Sequence, residues 1–121
     1  MARIIELPTH SDPRGNLTVC ERVLPFEIKR IYMIYGVPEG EVRAGHRHKR
    51  IIQACICLNG SCRIDVELYG KRTTYRLERP NQLLILDPQD WHTLSEFSKN
   101  AYVVVMSSDF YDKDDYVSTP L

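Results

Sequence analysis

Residues 43–50 read RAGHRHKR, with His46 and His48 one residue apart among four cations. On a β-strand, side chains at i and i+2 leave on the same side, about 6–7 Å apart. Imidazole both accepts and donates a proton near neutral pH, its ordinary pKa being about 6.5. Three chemistries suit such a pair: a metal site, an anion-binding strand, or proton transfer to and from a substrate. A third imidazole, His92, lies in LDPQDWHTLSE, and Gln53 follows the pair by five residues. A His-His-Gln-His set is a weak cation site, because neutral Gln supplies no charge and iron or manganese oxygen chemistry favours a carboxylate. Arg43, Arg47, Lys49 and Arg50 also disfavour a cation close by. Zinc on the cysteines is disfavoured too. Cys20, Cys55, Cys57 and Cys62 contain no C-x-x-C pair, and they read as buried, reduced thiols of a cytoplasmic protein.

The elements that would position these groups read as strands. A chain of 121 residues is expected to form one domain, residues 1–121, burying roughly two-thirds of its unfolded surface. Sixteen basic and sixteen acidic residues cancel, so no global field points to nucleic acid or an anionic membrane as a partner. No apolar run is long enough to span a bilayer, and MARIIELPTH lacks the apolar segment of a signal peptide.

Helical periodicity is nearly absent, while β-branched and aromatic runs recur between turn signals. Strands are expected over 16–21, 28–35, 51–58, 62–68, 72–77, 83–87 and 101–106, with His92 on a further one. Asn59-Gly60 is a strong hairpin signal. In 28–35, Arg30 and Tyr32 share one face. A Gly inside a strand often marks a bulge, and a bulge at Gly45 would bring Arg43 onto the histidine face. The tail, SSDFYDKDDYVSTPL, reads as a loop or a single helical turn packed on the body. Many short strands without a long helix indicate an all-β sandwich or barrel, most simply a jelly roll. Segment 51–58 has no solvated face, so one side would line the interior and the other would need a cover, most economically a second subunit.

Gly40-x5-His46-x-His48-x4-Gln53-x6-Gly60 resembles the first motif of the cupin superfamily, with Gln where Glu is usual; Pro88 and His92 resemble the second. More specifically, DPRGNL, PFEIKRIYMIY, VRAGHRHK, CLNGSCRI, DWHTLSEFS and SSDFYDKDDYV occur in that order from about residue 10 to 118. Together they resemble the WxcM-like sugar 3,4-ketoisomerases of deoxysugar biosynthesis. The resemblance implies a cupin double-stranded β-helix (jelly-roll barrel) in a strand-exchanged homodimer. It also implies a dTDP-linked substrate, dTDP-4-keto-6-deoxy-D-glucose, whose keto group moves from C4 to C3 without metal or organic cofactor.

Removal of the C3 proton would give an enediolate, and a proton would then return at C4. His48 is read as the carbon base and His46 as its helper at the oxygens, with the reverse order left open. Arg43 would stabilise the developing negative charge. Arg30, Tyr32, Lys49, Gln53, Trp91 and His92 would contact substrate. The segment D-x-R-G-x-L also resembles that of dTDP-sugar 3,5-epimerases, which implies nucleotide contacts from Arg14 and Glu21, often across a subunit boundary. The competing readings are a 3,5-epimerase, a metal-dependent small-molecule cupin, and a non-catalytic sugar-binding cupin.

Overall fold

A computed structural model describes residues 1–121. The chain forms twelve strands and one short 3-10 turn. In chain order the strands are β1 (Arg3–Glu6), β2 (Thr9–Asp12), β3 (Gly15–Thr18), β4 (Arg30–Tyr35), β5 (Arg43–His48) and β6 (Gln53–Asn59). After these come β7 (Cys62–Leu68), β8 (Lys71–Leu77), β9 (Gln82–Leu86), β10 (Trp91–Ser95) and β11 (Tyr102–Ser107). The 3-10 turn Lys113–Asp115 precedes β12 (Tyr116–Val117). Two five-stranded antiparallel sheets face each other, ordered β1-β9-β6-β11-β4 and β12-β5-β10-β7-β8, while β2 and β3 form a separate exposed hairpin. This is the all-β jelly roll expected from the strand pattern. β1, β2 and the two-residue β12 are additions to the expected set.

Alternation decides which side chains meet between the sheets. Cys55 and Cys57 of β6, Cys62, Ile64 and Val66 of β7, Leu84 and Leu86 of β9, and Val103 and Val105 of β11 share one apolar cluster. Each is nearly or completely excluded from solvent, and full burial of one such aliphatic side chain is worth about 1.5–3 kcal/mol. The β6–β7 hairpin turns at Gly60 (φ +70°), and β7–β8 turns at Tyr69 and Gly70 (φ +50° and +77°). Consecutive left-handed residues match the twist of a two-residue hairpin.

Two expectations are corrected here. The outer face of β6 is covered by the chain itself. Ala54 and Ile56 are buried against Leu7, Leu83, Ile85 and Met106, with Val23, Leu24 and Phe26 of the β3–β4 connection packed on them. No second subunit is needed for that face. Exposed apolar side chains include Leu58 near the end of β6 and a row on the outer side of edge strand β4, at Ile31, Met33 and Tyr35. The second correction concerns the cysteines: all four are free, but Cys20 is exposed because it lies in the irregular connection after β3. No helix is long and apolar enough to cross a membrane.

Candidate active site

The interior face of β5 begins with an irregularity. Ala44 and Gly45 both have left-handed backbones, at φ +68° and +79°. On neighbouring β10, His92 pairs with His46 and Thr93 with Ala44, so Gly45 is an extra residue in the ladder. This bulge shifts the alternation by one residue, and Arg43 joins His46 on the inward side. Ala44 carries a Cβ into a conformation that costs an L-residue roughly 1–2 kcal/mol, strain held at the rim of a cavity.

That cavity, about 230 Å³, opens between the sheets. Arg43, Ala44 and His46 of β5 line it, together with Arg30, Tyr32 and Ile34 of β4, Gln53 and Cys55 of β6, His92 and Leu94 of β10, and Tyr116 of β12. Three imidazoles gather here. The His46 ring lies 5.1 Å from His48 and 5.2 Å from His92, both edge-on. Tyr116 packs against His46 and His48 at 4.6 Å each. Gln53 Nε2 donates to the Tyr32 hydroxyl at 3.0 Å, and the Arg30 guanidinium stacks on Tyr32 at 4.5 Å and on Tyr111 at 5.4 Å.

The three rings are held differently. His92 is fully enclosed, and its Nδ1–H donates to the Asp90 carbonyl at 2.9 Å. His48 is 3% exposed, and its Nδ1 lies 3.0 Å from Oδ2 of Asp115, which is itself buried. Asp115 also accepts the backbone N–H groups of Arg50 (3.0 Å) and Ile51 (3.2 Å). Nε2 of His48 is buried with no partner. His46 lines the cavity directly.

Burial pushes His46 and His92 down to about 4, with a smaller contribution from neighbouring imidazoles. Burial lowers His48 as well, against the opposing pull of Asp115. All three rings are therefore neutral at pH 7 and have lone pairs available as proton acceptors. Tyr32 is pushed up to about 12 by burial and stays a phenol. No group of three or more His, Cys, Asp or Glu side chains is arranged to hold a metal ion. The Nδ1 atoms of His48 and His92 are already committed to Asp115 and Asp90.

Of the residues expected at the site, Arg30, Tyr32, Arg43, His46, Gln53 and His92 line the cavity, and His48 lies against its wall. Trp91 does not join them. It alternates outward from His92, and its Nε1–H donates to the Ser118 carbonyl at 2.9 Å. Lys49 is exposed because it directly follows the inward His48. Glu21 is exposed in the β3–β4 connection, and Arg14 stands at the tip of the β2–β3 hairpin paired with Asp12 at 2.6 Å. Within one chain neither reaches the histidines. Tyr116 and Asp115 were missed at residue level, although the tail that carries them was expected to pack on the barrel. They lie 67 and more residues from His46 and His48 in sequence, and nothing local marks them.

The protein-family model FdtA, described as WxcM-like, C-terminal, matches residues 1–120. The chain belongs to this FdtA, WxcM-like family. A family relative from Aneurinibacillus thermoaerophilus, a TDP-4-oxo-6-deoxy-alpha-D-glucose-3,4-oxoisomerase, is 35% identical over 117 residues, covering 95% of this chain and 84% of that one. A crystal structure of a 3,4-ketoisomerase from Helicobacter canadensis superposes with a TM-score of 0.92 at 34% identity, covering 98% of this chain and 90% of that one. QdtA, a 3,4-ketoisomerase from Thermoanaerobacterium thermosaccharolyticum, gives a TM-score of 0.93 at 31% identity in a variant complexed with TDP-4-keto-6-deoxyglucose, covering 98% of this chain and 87% of that one. These likenesses extend over the whole jelly roll, both sheets and the tail included.

Proposed function

We propose that this protein is a sugar-nucleotide 3,4-ketoisomerase that converts TDP-4-keto-6-deoxyglucose into its 3-keto isomer. The observation that carries the reading is a neutral imidazole, His46, open to a cavity that His92 and Tyr116 also line, flanked by Arg43 and Arg30, with His48 packed against His46 behind the wall. Family membership and a relative of that activity support the substrate class.

A C4 ketone acidifies the C3 proton. His46 takes that proton, the C3–H electrons form the C3=C4 double bond, and negative charge collects on O4. The O3 hydroxyl proton passes to O4 by way of the neighbouring imidazole, His48, which leaves the charge on O3, and the His46 imidazolium then returns its proton to C4 as the carbonyl re-forms at C3. The sequence left the order of the two histidines open, and the cavity favours His46 as the carbon base because it alone of the pair lines the space the sugar would fill. Arg43, brought inward by the bulge, stabilises the developing oxyanion. The proposed reaction uses side chains alone, and the acting unit is a homodimer in which Arg14 and Glu21 of one subunit reach the nucleotide in the other.

Proton NMR of the purified protein with TDP-4-keto-6-deoxyglucose in heavy water tests the reading. Deuterium at the former keto carbon of a 3-keto product, at a rate unchanged by EDTA, is expected. A His46→Asn variant should lose turnover by ~10²–10⁴-fold while KM stays within a few-fold, the usual range for removing a general base. Exchange at C3 and C5 without keto migration would favour an epimerase. Loss of activity in chelator would favour a metal-dependent enzyme, and saturable binding without exchange a sugar sensor.

A further inference from the structure

Arg30 of β4 lines the cavity, yet none of the ion pairs of the chain includes it. Both flat faces of its guanidinium are occupied, by the Tyr32 ring at 4.5 Å and by the Tyr111 ring at 5.4 Å. What remains free is the in-plane edge of N–H groups, the edge that meets a phosphate with two parallel hydrogen bonds. Tyr32 is set in the wall, its hydroxyl accepting from Gln53 Nε2 at 3.0 Å. Tyr111 has no such seat. It is 63% exposed, beside Phe110 at 67%, on the connection between β11 and the 3-10 turn.

Arg50 holds that connection in place. One arm of its guanidinium donates to Asp109, and the other, Nη2, donates to Asp112 at 2.9 Å. The two carboxylates bracket Phe110 and Tyr111, so a single fork closes both ends of a two-residue tip. Each carboxylate is fixed in turn: Asp109 accepts the Phe110 N–H at 2.8 Å, and Asp112 the Asp114 N–H at 3.0 Å. One exposed ion pair would contribute little, but a fork spanning two restricts where Tyr111 can stand. Arg50 Nε lies 3.9 Å from Asp115, beyond hydrogen-bond range. Its side chain therefore governs the tip rather than the buried carboxylate.

Resting on the ketoisomerase reading for the ligand, we propose that Tyr111 and Arg50 are positioning residues for substrate binding. Arg50 pins the tip that carries Tyr111, and Tyr111 holds the Arg30 edge toward the diphosphate of the nucleotide sugar, the one anionic group of that substrate. A free arginine loses rotamer freedom on meeting an anion. A guanidinium already stacked on both faces loses less.

Isothermal titration calorimetry with TDP reads this contact without turnover. Tyr111→Ala should bind TDP roughly 3–5-fold more weakly, the scale of one exposed cation–π contact. KM for TDP-4-keto-6-deoxyglucose should rise by the same factor, with kcat within about twofold, because the ring touches only Arg30 and not the reacting carbons. Tyr111→Phe, which keeps the ring, should match the wild type. Arg30→Ala should weaken TDP by roughly 10–100-fold, the scale of a charged hydrogen bond, and Tyr111→Ala added to it should change nothing more. Arg50→Ala should repeat the Tyr111→Ala loss, and the two together should be no weaker than either. Wild-type affinity in Tyr111→Ala, an equal loss from it in the Arg30→Ala background, or Arg50 and Tyr111 losses that multiply would each overturn the proposal. Should Arg50→Ala not fold, Arg50→Lys takes its place, because an ammonium cannot bridge both carboxylates and should show the same loss; wild-type affinity there overturns the role of Arg50. A wild-type protein that binds TDP but moves no keto group removes the isomerase reading, and the TDP cycle still decides this one. A wild-type protein that does not bind TDP removes this one.

Discussion

His46, His48 and His92 share one cluster, yet each is held by a different partner: the open cavity, the Asp115 carboxyl and the Asp90 carbonyl. Their shared property is a folded-state pKa below the ordinary value, set chiefly by burial. The unfolded chain therefore binds more protons than the folded one between about pH 6.5 and about 4, the value to which His46 and His92 are pushed down. Stability from these rings is fully present above pH 6.5 and is lost as pH falls through that window, before most carboxylates titrate. Urea midpoints should decline from pH 6.5 to 4.5 with an unchanged m-value, and a His92→Gln variant should decline less steeply over the same range. A wild-type midpoint flat across that window would mean the imidazoles are not buried as described. The RAGHRHK motif made His46 and His48 legible as a same-face pair. Their distinct roles were not legible, because the partner of His48 comes from the far end of the chain.

At the scale of the element, the bulge in β5 sets the site. A regular strand would turn Arg43 away from the imidazoles; the extra residue at Gly45 turns it in. Gly45 has open space where a Cβ would project, so replacement there meets backbone strain at φ +79° and no steric clash. A Gly45→Ala variant should lose about 1–2 kcal/mol of stability in denaturant unfolding, the cost of placing an L-residue in the left-handed region. Its kcat should also drop if relief of that strain re-aims Arg43. Wild-type stability and kcat together would show that the bulge does not depend on glycine. The sequence hinted at this device, since a glycine inside a strand, here between Ala44 and His46, often marks a bulge. Alternation also placed Arg30 and Tyr32 correctly on one face. It gave no warning that Trp91 would spend its indole N–H on the tail, because the Ser118 carbonyl it meets is fixed only by the folded path of residues 116–119.

Across the whole molecule, the fold was the most legible feature, because period-2 alternation and turn residues are local signals that repeat along the chain. What covers the outer face of β6 was not, since the segment that does so, Val23 to Phe26, lies in an irregular connection with no periodicity. The proposed dimer has other surface to use: the exposed β2–β3 hairpin and the outer side of β4. Subunit mixing tests whether Arg14 serves a neighbouring site. Arg14→Ala and His46→Asn chains, each inactive alone, should recover roughly a quarter of wild-type activity after co-refolding, because half of a random mixture is heterodimer with one intact site of two. No recovery would confine Arg14 to its own chain.

Residues 112–121 lie at the edge of the second sheet, yet they supply Asp115 and Tyr116 and are tied down by Trp91, by Arg47 Nε to the Thr119 carbonyl at 2.9 Å, and by the Tyr69 N–H to the Leu121 carbonyl at 3.0 Å. Edge segments open at lower free energy than the central strands, even where, as here, a buried carboxylate, Asp115, and a two-residue ladder to β5 also pin them. The catalytic apparatus thus rests on a strap that can peel while the barrel beneath stays closed. On gentle warming, the enzyme would fall silent well before it melts.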